Sequence, residues 1–377
     1  MRSFCLITLD YPPQPGGVGV MYRQLCLALA PYVSVVTTPL ANGQIDIHDE
    51  SYQLQRLRLL SKNGWPKWRK LFFDLMSGRL PIASNGIVLV GQILPVGIAV
   101  WLASHFKKIS YAVFVHGMDI TTAVSYPRRR WVIQHILARA KVVLAANEFI
   151  KAYLVSLGVA AEKIRVIYPI VPALPSLADE RDALRLRLNI ANNFVILTVA
   201  RLVERKGVDI VIVAMEQVWQ EVPTAKYYIV GDGPAREKLE KLRQRSSRPE
   251  QIVLLGKCSD KEAIEWRAAA DLFVMVPKTL ANNDTEGIGI AILEASAAGL
   301  PVIGSKHGGV PEGIEDSKTG VLIAERDSER LAEVIIDFAK YPDKRMEFGK
   351  AGRKMVSERF NAKKVGNEFL SIFGLYD

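Results

Sequence analysis

Cysteine is scarce in this chain of 377 residues, and the residue patterns that hold metals are absent. The three cysteines, Cys5, Cys26 and Cys258, are far apart and form no CxxC pair. A disulfide framework is therefore not expected, and a reducing compartment is favoured. The sequence also contains no Asp-x-Asp and no histidine–cysteine cluster with the spacing of metal ligands. The patterns therefore do not indicate a bound metal.

Charge is missing from the segment Leu80–Phe106, which is long and apolar enough to raise the question of a membrane span. However, Gly91 and Pro95 interrupt this segment. We therefore interpret residues 87–90 as a buried strand of a parallel sheet, followed by a helix that packs on the sheet. The N-terminal apolar run, Phe4–Leu9, is short and ends at Asp-Tyr-Pro-Pro, which predicts a first β-strand rather than a signal peptide.

Negative charge is scarce in the first half of the chain. The net charge is +10, and residues 1–170 hold 19 Lys and Arg against 8 Asp and Glu. This excess favours a polyanion or an anionic membrane surface as partner, and no nucleic-acid-binding motif accompanies it.

The segment Arg56–Arg79 interleaves cations with Trp65 and Trp68 and holds one acid, Asp74. This pattern is typical of a membrane interface, or of an ordinary helix with its aromatic residues in the core.

Two successive runs of alternating strands and helices predict an α/β protein with two doubly wound, Rossmann-like domains. Three prolines between Tyr168 and Pro175 indicate the linker. The domains are accordingly residues 1–170 and 171–361. We expect ligands at the carboxyl ends of the strands, in a cleft where the two domains face each other. The predicted strands lie near residues 3–9, 33–37, 87–90, 111–115, 142–145, 164–167, 194–200, 227–230, 252–255, 272–276 and 301–304.

The segment Asp284–Ala295 carries the sharpest indication of chemistry, because two glycines precede a predicted helix. Gly287 and Gly289 let the backbone approach a ligand, and a helix N-terminus attracts phosphate. Glu286 precedes the helix, and Glu294 lies in it among apolar neighbours, where an idle carboxylate would be costly. The alternative interpretation is a surface loop followed by a solvated helical glutamate.

Two cations follow the first strand of the second half. Arg201 and Lys206 could neutralise a diphosphate and stabilise it as a leaving group, or they could be loop charges paired with Glu204. Because no paired aspartates are present, positive charge for a diphosphate would come from these side chains and from helix N-termini.

Glycines and a histidine follow strands in the first half. Gly16 and Gly17 come directly after the first strand and permit close approach to a phosphate, although turn glycines are common. His116 ends an apolar strand, where it could bind a sugar or simply be a histidine at the edge of the core.

Together these motifs resemble glycosyltransferase family 4, the large family of retaining GT-B enzymes. Glu286 and Glu294 resemble its E-x7-E signature, Arg201 and Lys206 its diphosphate pair, and Gly16-Gly17 its N-terminal loop. The stretch from Asp284 to Gly320 is most similar to the bacterial phosphatidylinositol-mannoside mannosyltransferases. The long polar stretch Lys278–Thr285 departs from the commonest pattern.

The resemblance implies a role for each matching residue. Arg201 and Lys206 would hold the donor diphosphate, Glu286 would contact the transferred sugar near O3, and Glu294 would bind the ribose. The remaining donor contacts would come from backbone N–H groups of Gly287, Ile288, Gly289 and Ile290.

In the first half, Gly16 and Gly17 would approach the diphosphate, His116 would bond the O6 region of the sugar, and Asp10 would lie near the acceptor. The catalytic set is then Glu286, His116, Arg201 and Lys206. A final helix, at about residues 362–377, would cross back onto the first domain.

The resemblance therefore predicts a retaining hexosyltransferase that needs no metal and no cofactor. Its donor would be a GDP- or UDP-sugar carrying mannose or glucose, and its acceptor a lipid, a lipid-linked glycan or a polysaccharide. We expect it in the cytoplasm, peripheral on the inner face of the membrane. Two alternatives remain. A nucleotide-sugar epimerase would isomerise the donor without an acceptor, and a non-catalytic module would bind the donor without consuming it.

Overall fold

A computed structural model of the protein describes residues 3–14, 16–41, 46, 51–62, 65–121, 126–175, 177, 179–281 and 284–375. Contacts within the chain divide it into two compact units. The first unit is Met1–Pro172 together with Phe360–Asp377, and the second is Ala173–Arg359.

The first unit is built on a seven-stranded parallel sheet with the strand order β3-β2-β1-β4-β5-β6-β7. Its central strands are buried on both faces, as the apolar sequence of β4 requires in a sheet covered by helices. The strands are β1 (Phe4–Ile7), β2 (Val33–Thr37), β3 (Gln53–Arg56), β4 (Ile87–Val90), β5 (Ser110–Val115), β6 (Val142–Ala145) and β7 (Ile164–Val166).

Helices connect these strands. They are α1 (Gly17–Leu29), α2 (Arg69–Ser77), α3 (Ile98–Phe106), α4 (Met118–Thr121), α5 (Pro127–Arg139) and α6 (Glu148–Ser156). A short π-helical turn, Ile93–Gly97, leads into α3. The uncharged segment that contains β4 and α3 is therefore a strand, a turn and a helix. No helix among the described residues is both long and apolar enough to cross a membrane.

The last helix of the chain, α14 (Ala362–Ile372), belongs to the first unit. It packs against α1, and the Phe369 ring lies edge-on to the Phe4 ring of β1 with 5.2 Å between their centroids. Gly366 allows this approach, because a Cβ at that position would lie 3.3 Å from the Cβ of Ala28.

The second unit repeats the pattern with a six-stranded parallel sheet in the order β10-β9-β8-β11-β12-β13. Apolar clusters fill both faces of this sheet. The strands are β8 (Phe194–Val199), β9 (Ala225–Val230), β10 (Ile252–Gly256), β11 (Leu272–Val274), β12 (Val302–Ser305) and β13 (Gly320–Ile323). The helices are α7 (Arg181–Arg187), α8 (Val208–Glu221), α9 (Arg236–Gln244), α10 (Asp260–Ala269), α11 (Ile290–Ala297), α12 (Ser328–Lys340) and α13 (Pro342–Arg359).

The structure confirms the fold class predicted from the sequence. It also contains two strands that were not predicted. β3 and β13 lie at sheet edges and are absent from the predicted set. β3 has the polar sequence Gln-Leu-Gln-Arg and is partly exposed, and β13 is only half-buried along its middle. Neither strand therefore shows the continuous apolar run that marks a central parallel strand.

Each sheet contains a point where the strand order reverses. In the first unit it lies between β1 and β4, and in the second between β8 and β11. In sheets of this type, ligands bind outside the carboxyl ends of the strands at that point. We therefore expect the site of the second unit at the segments that follow β8 and β11.

Candidate functional site

The carboxylate of Glu286 is the centre of the site in the second unit. Glu286 is 8% exposed and lies in the segment that follows β11. Oε1 accepts a hydrogen bond from Nζ of Lys206 at 2.8 Å, and Oε2 accepts one from Nε of Arg205 at 3.0 Å. Nη1 of Arg205 also reaches Oδ2 of Asp284 at 3.2 Å. Two carboxylates and two cations therefore share one partly enclosed cluster.

The protonation state of Glu286 follows from this cluster. Burial alone raises the pKa of the carboxyl, but Lys206 and Arg205 outweigh burial and hold the pKa below its ordinary value. Glu286 is thus an ionised hydrogen-bond acceptor rather than a proton donor. An ionised carboxylate can accept from sugar hydroxyls, which is the role that the resemblance implies.

Gly207 brings the two segments together. It adopts a left-handed backbone with φ of 70°, and a Cβ at this position would lie 1.9 Å from the carbonyl oxygen of Val276. Only glycine allows this approach. The loop after β8 therefore lies directly against the segment after β11, which places Lys206 within reach of Glu286.

The N-terminus of α11 lies next to Glu286 in the chain. Gly289 caps the helix in the left-handed conformation, with φ of 77°. Among the described residues, none accepts a hydrogen bond from the backbone N–H groups of Gly287, Ile288, Gly289 or Ile290. Such N–H groups at the start of a helix are donors for a phosphate or for a sugar hydroxyl.

Glu294 lies further along α11 and pairs with Arg267 of α10. The Arg267 side chain is buried, and the Glu294 side chain is 26% exposed. Burial raises the pKa of Glu294 above its ordinary value, against the opposing effect of Arg267, and Asp260 raises it further. The same helix thus presents N–H groups at its first turn and a carboxylate one turn later.

Arg201 lies apart from this cluster. It follows β8 and is exposed, and its guanidinium makes no ion pair with any described residue. The alternative that Arg201 and Lys206 are loop charges paired with Glu204 is not what the structure shows, because Glu204 pairs with Lys238 at 3.0 Å.

The polar stretch Lys278–Thr285 begins and ends in partly buried ion pairs. Lys278 is 3% exposed and pairs with Asp209 at the start of α8. Its N–H donates to the carbonyl of Arg205 at 2.8 Å. At the other end, Asp284 is held by Arg205. Residues 282 and 283 lie outside the described part of the chain.

His116 of the first unit follows β5 and contacts Tyr22 of α1. The Tyr22 hydroxyl donates to the carbonyl of Gly91 at 2.5 Å, so Nε2 of His116 donates to the same hydroxyl, 2.6 Å away. Burial lowers the pKa of His116 to about 4, so the ring is neutral near pH 7. These contacts assign the proton of the neutral imidazole to Nε2.

Asp10 and the two N-terminal glycines lie at other points of the first unit. Asp10 follows β1 and accepts from Nε2 of Gln92 at 3.0 Å, which places it at the reversal point between β1 and β4. Gly16 and Gly17 are exposed at the N-terminus of α1. Their roles toward a ligand stay predictions.

Several residues of the second-unit site are absent from the predicted set. Arg205 precedes Lys206 in a single 3-10 turn, Glu204–Lys206, so both side chains can reach Glu286. Arg267 is 27 residues from Glu294, and its pairing depends on how α10 and α11 pack.

Within the described parts of the chain, no cluster of three His, Cys, Asp or Glu side chains could hold a metal ion.

The two parallel sheets and the site between β8 and β11 define a class, the GT-B glycosyltransferases. Two family models match the chain. The model "Glycosyl transferases group 1" matches residues 180–355, and "Glycosyl transferase 4-like domain" matches residues 16–169. The chain belongs to glycosyltransferase family 4 and is a glycosyltransferase.

Relatives and solved structures agree with this assignment. The GDP-mannose-dependent α-(1-6)-phosphatidylinositol monomannoside mannosyltransferase of Mycobacterium tuberculosis is 28% identical over 369 residues, which span 96% of this chain and 95% of the relative. Anabaena HepE in complex with UDP-glucose has a TM-score of 0.80 at 21% identity, with 99% of both chains covered. Sucrose-phosphate synthase from Thermosynechococcus elongatus has a TM-score of 0.80 at 22% identity, covering 99% and 98%. The two solved structures establish the fold.

The environment of Glu294 generates a pH prediction. If Glu294 binds ribose hydroxyls as a carboxylate, affinity for a nucleoside diphosphate is lost as pH falls through its raised pKa. Arg267→Gln removes an opposing charge, so the acid limb should move to higher pH. Asp260→Asn removes a neighbour that raises the pKa, so the limb should move to lower pH. Calorimetric titration across the acid range measures both shifts.

Lys261 is exposed on α10, the helix that also carries Asp260 and Arg267. Lys261→Gln is therefore the matched control and should leave the pH dependence of affinity unchanged. Shifts of Arg267→Gln and Asp260→Asn in the same direction would contradict the role assigned to Glu294.

Proposed function

We propose that this glycosyltransferase retains the anomeric configuration, needs no metal and moves a hexose, mannose or glucose, from a nucleoside diphosphate sugar to a lipid, a lipid-linked glycan or a polysaccharide. The observation that carries the proposal is the ionised Glu286, paired with Lys206 at 2.8 Å beside the N-terminus of α11. In this proposal Glu286 would accept hydrogen bonds from the sugar, and Lys206 and the backbone N–H groups would donate to phosphate.

The donor would lie along α11. The ribose hydroxyls would bond to Glu294, and the diphosphate would meet the N–H groups of residues 287–290. An ammonium group has three donors, so Lys206 can keep its bond to Glu286 and still donate to a phosphate oxygen. Arg201, exposed where β8 ends, would supply the second positive charge.

The reaction would break the bond between the anomeric carbon and the phosphate oxygen. Negative charge then develops on the departing diphosphate, where Arg201, Lys206 and the helix N-terminus can stabilise it. The acceptor hydroxyl would attack from the face that the diphosphate leaves. Its proton would pass to the departing phosphate oxygen, so the configuration is retained without a protein nucleophile.

The proposal assigns no metal because Arg201, Lys206 and the N–H groups at the start of α11 would supply positive charge to the diphosphate. Charged side chains and oriented N–H groups act there as a metal does, by neutralising the leaving group. The sequence also lacks the Asp-x-Asp pattern that would hold a bridging ion.

The named relatives support the choice of donor and acceptor. The M. tuberculosis relative is, by its name, GDP-mannose-dependent and acts on a phosphatidylinositol monomannoside. HepE was solved with UDP-glucose. A hexose donor and a lipid-borne acceptor are the features that we carry over.

Exposed aromatic residues among the cations of the segment Arg56–Arg79 support a lipid-borne acceptor. Trp65 is 88% exposed and Phe73 is 65% exposed, and both lie among the cations of the segment Arg56–Arg79. Trp68 and Phe72 are instead partly buried against the core. The segment thus places two of these aromatic side chains against the core and leaves two exposed. α2 packs on α3, which carries the exposed Phe106.

The function is tested by incubating the protein with GDP-mannose or UDP-glucose and lipid extracts, then determining the anomeric configuration of the product by NMR. We expect transfer with retention, and we expect turnover to persist after dialysis against EDTA. An inverted product, or turnover that returns only when a divalent ion is restored, would contradict the proposal. An isomerised donor formed without acceptor would indicate an epimerase.

Arg201→Ala tests the stabilisation of the leaving group. Losing one donor to the developing charge should lower kcat about 100-fold or more, with a smaller change in KM. Steady-state kinetics with the identified donor measures the effect. Arg187→Ala, at a half-exposed arginine that pairs with Glu265, is the control and should leave kcat unchanged. If kcat of Arg201→Ala equals that of the wild type, Arg201 has no such role.

Vesicle binding tests the cations of the segment Arg56–Arg79. Lys62→Gln/Lys67→Gln should weaken binding to anionic vesicles about 30-fold, because each cation near the surface contributes about 1 kcal/mol. Lys318→Gln/Lys354→Gln removes two exposed cations of the second unit and should leave binding intact. Co-sedimentation at low salt measures both variants. Equal recovery of the wild type with neutral and anionic vesicles would rule out the electrostatic contribution.

A further inference from the structure

His307 is a buried histidine that contacts the backbone of Glu286. It follows β12 and is 2% exposed. Its Nε2 accepts a hydrogen bond from the N–H of Glu286 at 2.9 Å, and its Nδ1 lies 2.8 Å from Oε1 of Glu325. The imidazole thus joins the segment after β11 to the loop after β13.

The position of the imidazole proton follows from these contacts. Because Nε2 accepts a hydrogen bond, the proton of a neutral ring is on Nδ1, where it donates to Glu325. Glu325 also accepts from the N–H of Thr279 at 2.7 Å and from its hydroxyl at 2.9 Å. Burial raises the pKa of Glu325, but the hydrogen bonds from Thr279 and His307 hold it below its ordinary value. Glu325 is therefore an acceptor that fixes the tautomer of His307.

The residues after His307 hold the other side of the Glu286 peptide. The N–H of Gly309 donates to the carbonyl oxygen of Glu286 at 3.3 Å. A Cβ on Gly308 would lie 2.2 Å from that oxygen, so a larger residue would displace the backbone. The sequence His-Gly-Gly thus contacts both the N–H and the carbonyl group of Glu286, while Lys206 and Arg205 bind its side chain.

We propose that His307 is a positioning residue for Glu286, with Glu325 setting its tautomer. The inference rests on the proposed function, in which Glu286 contacts the transferred sugar. The distance between the Glu286 carboxylate and the sugar depends on where the Glu286 backbone lies. A misplacement of about 1 Å can cost about 100-fold in rate. The same network ties Thr279 to Glu325, so both ends of the segment 279–286 are fixed.

Two amide substitutions separate the two bonds of His307. The Oε1 of Gln can occupy the place of Nε2 and keep the acceptor for the N–H of Glu286. The Nδ2 of Asn can occupy the place of Nδ1 and keep the donor to Glu325, but it leaves that N–H without an acceptor. A role confined to joining the two loops would make the two variants equivalent.

We expect His307→Asn to lower kcat about 100-fold and His307→Gln about 10-fold. Affinity for the nucleoside diphosphate should fall much less than kcat, because the contacts proposed for Glu294 and Arg201 do not depend on His307. Steady-state kinetics and calorimetric titration measure these values. The proposal is overturned if Gln loses as much activity as Asn, if both variants keep full activity, or if diphosphate affinity falls in step with kcat.

A spectroscopic measurement is independent of the variants' activity. Nitrogen-15 NMR of histidine-labelled wild type should show His307 protonated on Nδ1 and unprotonated on Nε2, with the signal assigned by its loss in His307→Gln. A ring protonated on Nε2 would contradict the proposal. The proposed function fails separately, if Glu286→Gln retains full transfer. If Glu286→Gln is inactive while His307→Asn is fully active, only the positioning role is wrong.

Discussion

The buried ion cluster at Glu286 is the interaction on which the rest of the site depends. Burial alone would raise the pKa of the Glu286 carboxyl, and Lys206 and Arg205 outweigh burial and hold it below its ordinary value. Removing one partner of such a pair typically costs 3–5 kcal/mol, because a buried charge is left uncompensated. The cluster therefore fixes both the charge and the position of Glu286.

The fold produces this cluster through the reversal of strand order between β8 and β11. β8 and β11 are neighbours in the sheet, and the segments that follow them contact each other at Gly207 and Val276. The helices beyond, α8 and α11, then pack in different apolar clusters. Gly207 permits the contact at Val276, and Gly308 permits the contact at Glu286. A larger side chain at Gly207 would push the loop after β8 away from the segment after β11, and one at Gly308 would push the loop after β12 away from that same segment. Glycines far apart in the sequence thus serve one geometric requirement, the placement of one carboxylate.

Much of this could be predicted from the sequence, and the remainder could not for physical reasons. Central strands such as β4 are continuous apolar runs, while the edge strand β3 is polar and half-exposed. Glu286 and Lys206 lie in recognisable motifs beside glycines. The partnership of Arg205 with Glu286, and that of Arg267 with Glu294, depend on how separate segments pack, which residue spacing does not encode.

Calorimetric titration of wild type and Glu286→Gln with a nucleoside diphosphate and with its hexose conjugate tests the central claim most directly. If Glu286 binds the transferred sugar, the variant should lose affinity for the conjugate about tenfold or more, a typical loss for a charged hydrogen bond. Affinity for the diphosphate alone should be unchanged or higher, because Lys206 is released from its carboxylate partner. An equal loss for both ligands would contradict the account.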